Sequence, residues 1–298
     1  MSTPRDWAEL ARVSALFSVP GDVPAEAAAS GARPGARTAL ATGASLCRYE
    51  AGTALNDWAD RDEDDVERPH RPLPSGRIAP ARALTAAAGL TVARVGLALA
   101  AGRPAALAAT ALAGTVWAYD LHLRQTPAGP AAMAAARGLD LLLGPVAGAG
   151  PRADVGSPAR AARRALAPAA VLGAHTSVLT VVSRNETRGG STGAPLAGLG
   201  TTAPLGTLTG CGRRPVQGPQ VYARAALTGA YVATATVPYL HPALTPSSLP
   251  QKAVNGGICA MIPLQAALAA RSGALACAAL LTGLVPVARR LARKVSLT

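Results

Sequence analysis

The stretch of the sequence with the clearest chemical potential is a run of acids followed by arginines. Residues 56–77 read NDWADRDEDDVERPHRPLPSGR and hold seven of the chain's 16 acidic residues. Asn56, Asp60 and Asp64 recur every four residues, and on an α-helix this spacing places them along one stripe, where they can converge on one ion. Mg²⁺ prefers hard oxygen ligands, takes few of them from protein, and completes its shell with substrate phosphates and water. The stripe therefore predicts a Mg²⁺ site formed by these three residues.

Two arginines directly after this stripe suggest what the metal would act on. The guanidinium forks of Arg68 and Arg71 suit the oxygens of a diphosphate. The alternative interpretation is an ordinary solvated run of charges. However, the acids begin while the chain is still in the register of a membrane helix, where a charge costs about 2.5–3.5 kcal/mol at the centre and less near the interface. This favours ion binding for Asn56, Asp60 and Asp64.

The elements that carry these residues are predicted from composition. Half of the 298 residues are hydrophobic, 15% are charged, and the charges separate long stretches rich in Ala, Leu, Gly and Val. This is typical of an all-α, multi-pass transmembrane bundle, here of nine or ten spans in a single domain over residues 1–298. The predicted spans are 7–29, 37–60, 80–100, 104–120, 128–148, 163–183, 219–240, 252–270 and 273–291, with 194–212 as the tenth. A soluble protein with buried helices is the alternative.

The charge distribution indicates a bilayer rather than a nucleic acid as the partner. The net charge is +13, but the basic residues are spread through the loops, where they serve topology and anionic lipid. The arginines of loop 56–77 predict that this loop is cytoplasmic. Only Lys252 and Lys294 are lysines, and this bias together with abundant Ala and Gly suggests a GC-rich bacterial genome. The predicted location is therefore the bacterial inner membrane.

The acidic run also resembles a known family motif. NDWADRDEDD is similar to the N-D-x-x-D-x-x-x-D motif of the UbiA superfamily of intramembrane prenyltransferases, and RPHRPLPSG resembles that family's continuation. The helix count and order are similar too, and the YDLHLR and RGLDLLLG segments most resemble the EboC-like bacterial branch. The resemblance implies a helical bundle around a central cavity, with Mg²⁺ and diphosphate at its cytoplasmic mouth and the isoprenoid tail among apolar helices.

The family's second motif, D-x-x-x-D, is altered in this chain. It is expected near the end of the sixth span, where residues 183–190 read SRNETRGG. Glu186 is the one carboxylate there. Two interpretations stay open: Glu186 and Asn185 could ligate a second metal ion, or Arg184 and Arg188 could neutralise the diphosphate in its place.

Other polar residues near or within the spans are further candidates for substrate binding. The family often has Tyr-x-x-x-Lys after its fourth span. Here Tyr119 matches, while Leu123 stands at the Lys position and Arg124 follows it. In the fifth span, Arg137 and Asp140 are one turn apart, so they either pair with each other or leave Arg137 to contact diphosphate or acceptor.

The chemistry that these residues predict is ionisation of an allylic diphosphate. Asp60, Asp64 and Glu186 are the predicted catalytic residues, because metal and arginines stabilise the charge that develops on the leaving group. An apolar cavity then protects the cation until an acceptor attacks. The base for the acceptor could be Glu50, Asp140 or Glu186.

The acceptor is predicted to be small and polar, such as a polyol. Aromatic residues make up 3% of the chain and Phe17 is its one phenylalanine, so few rings are available to stack an aromatic acceptor. Two other functions are weighed against prenyl transfer. A terpene cyclase of the same fold would use the same aspartates, and a noncatalytic isoprenoid-binding or transport protein would not need them.

Overall fold

The computed structural model describes residues 2–12, 23, 27, 35–149, 156–187, 192–211, 218–244 and 251–283. Regular structure in these residues is helical, without a strand. The helices are α1 (Pro4–Leu10), α2 (Ala36–Ala59), α3 (Arg61–Glu67), α4 (Pro80–Ala101), α5 (Arg103–Ala118), α6 (Gly129–Gly148), α7 (Pro158–Thr187), α8 (Gly193–Gly210), α9 (Pro219–Leu244) and α10 (Gln251–Arg271). Residues 275–283 are helical as well, and a π-helical turn, Tyr119–Leu123, follows α5.

The helices lie where apolar segments predicted them, but the number of membrane crossings is not confirmed. Among the described residues, two helical segments are long and apolar enough to cross a bilayer, Pro80–Ala101 and Pro158–Arg184. The prediction of nine or ten spans therefore goes further than hydropathy supports. Alanine, glycine and internal charges lower the mean hydropathy of the other helices. Arg137 and Asp140 in α6 are examples of such charges. The predicted first span lies mostly outside the described residues.

Consecutive helices pack on one another through small residues. α2 packs against α4, α6 against α7, and α9 against α10. One buried cluster joins α2, α4, α5 and α6, mostly through alanines. A second cluster contains residues of all five helices from α6 through α10. Small side chains allow close helix approach, which is how helices associate where lipid removes the hydrophobic drive. At Gly144 a Cβ would lie 2.4 Å from the carbonyl oxygen of Val23, so this contact requires glycine.

A polar anchor holds the N-terminal helix against the turn that follows α3. Thr3 caps α1 together with Asp6, and Arg77 donates to Asp6 at 2.9 Å and to Glu9 at 2.7 Å. These hydrogen bonds from Thr3 and Arg77 lower the pKa of Asp6 to about 2. The anchor fixes one side of the segment that carries the acidic run.

Candidate active site

The predicted metal ligands lie at the junction of α2 and α3. Asp60 itself leaves helical geometry, with φ −90° and ψ 2°. Even so, its backbone N–H donates to the Asn56 carbonyl at 2.9 Å, and the Asp64 N–H donates to the Asp60 carbonyl at 2.8 Å. Asn56 Nδ2 also donates to Asp60 Oδ2 at 3.2 Å. The four-residue spacing thus continues across the junction.

Both arginines that follow the stripe contact its last carboxylate. Arg71 Nη1 donates to Asp64 Oδ2 at 2.6 Å, and Arg68 Nη1 donates to Asp64 Oδ1 at 3.4 Å. Asp64 is 2% exposed, whereas both arginine side chains reach solvent. Burial strengthens charge-assisted contacts of this kind. Two arginines therefore hold the buried Asp64 side chain in place just after the junction.

Arg124 brings a third cation to the stripe from a distant part of the chain. It forms an ion pair with Asp60 and donates to Glu63 at 2.7 Å. The π-helical turn Tyr119–Leu123 directs Arg124 there, and such turns are frequent at functional sites. Arg124 thus stands beside the predicted metal ligands, while Tyr119 is half-buried in the same turn.

Contacts of Asn56 and its neighbour Asp57 at this junction were not predicted from the sequence. Arg12, just after α1, pairs with Asp57 at 2.5 Å, and Arg71 lies 3.7 Å from the same carboxylate. The Asp120 carboxyl, in the π-helical turn, lies near the side-chain amide of Asn56. The signal that could have indicated Asp120 is an acid beside Tyr119 at the end of an apolar segment.

The end of α7 approaches the same region. Arg184 Nη1 donates to the Thr126 carbonyl at 2.7 Å, which joins the last turns of α7 to the turn that carries Arg124. Glu186 lies in the final turn of α7, but its side chain is outside the described residues, as is all of Arg188. The altered second motif therefore begins in the last turn of α7, close to the turn that carries Arg124. The roles of Glu186 and Arg188 stay predictions.

The sequence that carries this site matches a known protein family. The model of the UbiA prenyltransferase family matches residues 17–189, more than half of the chain. The chain belongs to the UbiA prenyltransferase family. This confirms the predicted family, a family of prenyltransferases, and the matched region includes the stripe, the π-helical turn and α7.

The curated relatives are archaeal digeranylgeranylglyceryl phosphate synthases. A digeranylgeranylglyceryl phosphate synthase from Methanopyrus kandleri is 37% identical over 76 residues, which cover 26% of this chain and 28% of that protein. The synthase from Methanospirillum hungatei is 38% identical over 79 residues, with the same coverages. The chain thus matches little more than a quarter of the length of these relatives. They do not support the narrower expectation of an EboC-like bacterial protein.

Solved structures of UbiA homologues share the fold. The homologue from Aeropyrum pernix superimposes with a TM-score of 0.63 at 19% identity, covering 83% of this chain and 95% of that one. The homologue from Archaeoglobus fulgidus, bound to GPP and Mg²⁺, gives a TM-score of 0.58 at 17% identity, covering 91% and 99%. The all-α class is confirmed by this likeness.

The donor atoms at the stripe fit Mg²⁺. They are an amide and two carboxylates, all hard oxygen ligands. Among the described residues, no three acidic, histidine or cysteine side chains form a metal cage by themselves. Mg²⁺ characteristically needs no such cage, because substrate phosphates and water complete its octahedron. Asn56, Asp60 and Asp64 are thus suited to a metal that arrives with a diphosphate.

Deeper in the bundle, Arg137 takes part in a charge cluster rather than approaching the stripe. It lies 3.8 Å from Asp140, which also pairs with Arg48 Nε at 3.0 Å and accepts a hydrogen bond from Ser45 at 3.3 Å. Among the described ion pairs, Arg137 contacts Asp140 and none of the stripe aspartates. This favours the paired interpretation, and a contact of Arg137 with substrate stays a prediction.

The same contacts bear on the choice of base. Asp140 is committed to two arginines, whereas Glu50 Oε1 is buried without a hydrogen-bond partner among the described residues. His175 is satisfied on both ring nitrogens, by the Gly257 carbonyl at 3.0 Å and the Tyr231 hydroxyl at 3.2 Å. Glu50 is therefore better placed than Asp140 to accept a proton.

Proposed function

We propose that this protein transfers a prenyl group from a prenyl diphosphate to a small polar acceptor within the membrane, in a Mg²⁺-dependent reaction. The observation that carries the proposal is the stripe of Asn56, Asp60 and Asp64 with arginines on both of its carboxylates. An acidic metal site surrounded by guanidinium groups suits a substrate that is itself a polyanion. A noncatalytic lipid-binding protein would have no need of it.

The residues of the stripe would act on the leaving group. Asn56, Asp60 and Asp64 would hold Mg²⁺, which when bound supplies Lewis-acid stabilisation of the departing diphosphate. Arg71 and Arg124, now paired with the carboxylates, would turn towards diphosphate oxygens once the metal neutralises those acids. Their charge then stabilises the negative charge that develops as the carbon–oxygen bond breaks.

The remaining predicted residues complete this site. Arg68 and Tyr119 would bind the diphosphate from either side of the stripe. Glu186 would contribute a second acidic group from the end of α7, and Arg188 a further cation. The alanine-rich helices around the site would keep water from the allylic cation.

For the acceptor we propose a glycerol phosphate or a related polyol. The curated relatives are named for a glyceryl phosphate product, and the low aromatic content of this chain argues against a stacked aromatic acceptor. The proposed location is the membrane, with the 56–77 loop on the cytoplasmic side. That the membrane is a bacterial one, that the protein is EboC-like, and that residues 1–298 form one domain remain proposals from the sequence.

The experiment that tests this function uses the purified protein in lipid nanodiscs. Geranyl, farnesyl and geranylgeranyl diphosphates are each supplied with Mg²⁺ and glycerol 1-phosphate, and products are followed by mass spectrometry. The proposal predicts a prenylated acceptor that forms with Mg²⁺ and not with chelator. Release of diphosphate with a cyclised hydrocarbon and no need for acceptor would instead identify a cyclase.

A further inference from the structure

A small space lies inside the bundle, between α2, α4 and α5. It has room for about one water molecule, and most of its wall is apolar. Two arginines line it, Arg48 from α2 and Arg94 from α4. Arg48 precedes Asn56 by two turns of α2, which puts it about 12 Å deeper in the bundle, since each helical residue rises ~1.5 Å. The space is therefore separate from the metal stripe.

Arg94 is the unusual residue of this space. It is 1% exposed, and among the described residues none of its three guanidinium nitrogens has a hydrogen-bond partner. An uncompensated buried cation is strongly unfavourable, and within a membrane helix an ionisable group is by default a functional one. Arg94 therefore requires an acceptor that the described side chains around it do not supply.

The charges around the space leave it electropositive. Among the described residues, Asp140 is the acid whose charge acts on Arg94. That carboxylate is already shared by Arg48 at 3.0 Å and Arg137 at 3.8 Å. Three arginines therefore face one aspartate. In a low-dielectric interior this excess of positive charge favours an anion beside Arg94.

The hydrogen-bonding groups left in the wall are donors. The Thr91 hydroxyl donates to the Ala87 carbonyl at 2.8 Å and accepts from Trp117 Nε1 at 3.2 Å, so these two side chains are already bonded. The guanidinium groups of Arg48 and Arg94 have N–H donors and no acceptor. A water molecule could accept from them, but its own hydrogens would then face further donors. A monatomic anion accepts from every side and also neutralises the excess charge.

We propose that this space binds one monatomic anion of the size of chloride, held by Arg94 of α4 and Arg48 of α2. The ion forms charge-assisted contacts with both guanidinium groups and so joins the two helices inside the bundle. Phosphate and other oxyanions are too large for a space of about one water molecule. The site goes beyond the proposed prenyl transfer, because it makes the stability of the helix that carries the metal stripe depend on a halide ion.

Trp117 lines the space and can report binding directly. In a Trp7→Phe, Trp58→Phe background it is the one tryptophan of the chain. This protein, in lipid nanodiscs and sodium gluconate, is titrated with sodium bromide at constant ionic strength, because bromide is close to chloride in size and quenches indole fluorescence. Chloride and phosphate are then added as competitors.

The variants separate Arg94 from general effects of salt. Arg94→Met keeps the length of the side chain and removes its charge, and Arg94→Lys restores the charge. The matched control is Arg82→Met, which removes an exposed arginine of the same helix. Salt effects on the surface should act on all of these proteins alike.

We expect saturable quenching in the parent that chloride reverses and phosphate does not. Arg94→Met should weaken bromide binding by about tenfold or more, as loss of a charge-assisted contact does. Arg94→Lys should recover part of the affinity, and Arg82→Met should match the parent. The melting temperature of the parent should rise with chloride concentration, because an ion that binds the folded state stabilises it, and Arg94→Met should lose this rise.

Two results would overturn this inference. Quenching of the parent that is linear in bromide and unaffected by chloride would show collisions alone and no halide site, and this result needs no variant to fold. Saturable quenching that stays unchanged in Arg94→Met, or in Arg94→Lys should the first variant not fold, would place the anion elsewhere. Neither result touches the proposed function, since prenyl transfer is assayed separately through its product.

Discussion

The charge of Asp64 should be required for turnover more than for folding. Asp64→Asn keeps the shape of the side chain and one acceptor oxygen but removes the charge that attracts a hard cation. Loss of one preorganised electrostatic contact to the leaving group costs about 2–4 kcal/mol of transition-state stabilisation, or roughly 30-fold or more in rate. We therefore expect kcat for prenyl transfer to fall at least that far.

The effect of this substitution on stability should be smaller. Breaking a fully buried ion pair costs about 3–5 kcal/mol because one charge is left without a partner. Here the side chain of Arg71 is 23% exposed and also lies 3.7 Å from Asp57, so water and a second carboxylate compensate it. A loss of about 1–2 kcal/mol is expected, which leaves the protein folded in the membrane.

The assay compares Asp64→Asn with Asp65→Asn, which removes the neighbouring exposed acid of α3. Initial rates with geranylgeranyl diphosphate and Mg²⁺ are measured for both, with melting temperature as the check on folding. The Asp65 variant should keep the parent rate. If Asp64→Asn retained more than about a tenth of that rate, the metal assignment of the stripe would be refuted.

Three further outcomes are expected. A cysteine placed at Ser75 in a cysteine-free background should escape an impermeant reagent applied to intact cells, and labelling would overturn the cytoplasmic placement of loop 56–77. Glu186→Gln should raise the Mg²⁺ concentration needed for half-maximal rate, whereas an unaltered titration combined with lost substrate binding in Arg188→Ala would assign this role to arginines. Because the folded pKa of Asp6 is depressed to about 2 from 3.8, its stabilising contribution should be complete above pH 4 and lost as the pH falls towards 2, so melting curves of the parent and Asp6→Asn should converge at acid pH.

The sequence was sufficient for features that are local in the chain. Apolar composition located the helices, and four-residue spacing anticipated the backbone hydrogen bonds that link Asn56, Asp60 and Asp64, because both depend on short stretches of the chain. Arg71 was found for the same reason, since it lies only seven residues from Asp64. Arg124 required the family resemblance, because nothing local links it to Asp60.

Contacts between distant segments could not be found in this way. Arg12 reaches Asp57 across 45 residues, and Asp120 reaches Asn56 through a π-helical turn that no spacing rule indicates. Arg94 was not singled out in the sequence, and only when α2, α4 and α5 are assembled is it visible that its guanidinium has no hydrogen-bond partner among the described residues. The span number is not confirmed for a different reason, since hydropathy averages the apolar residues of a helix with its buried charges.

The central claim, that this chain breaks the carbon–oxygen bond of a prenyl diphosphate and passes the prenyl group to an acceptor, can be tested by one isotope measurement. Geranylgeranyl diphosphate carrying a heavy oxygen isotope in the bridge between carbon and phosphorus is incubated with the protein, Mg²⁺ and glycerol 1-phosphate. Ionisation predicts that the heavy oxygen leaves with the released diphosphate and that the prenylated acceptor contains none of it. Heavy oxygen retained in a prenyl alcohol, with no prenylated acceptor, would show phosphorus–oxygen cleavage and contradict the account.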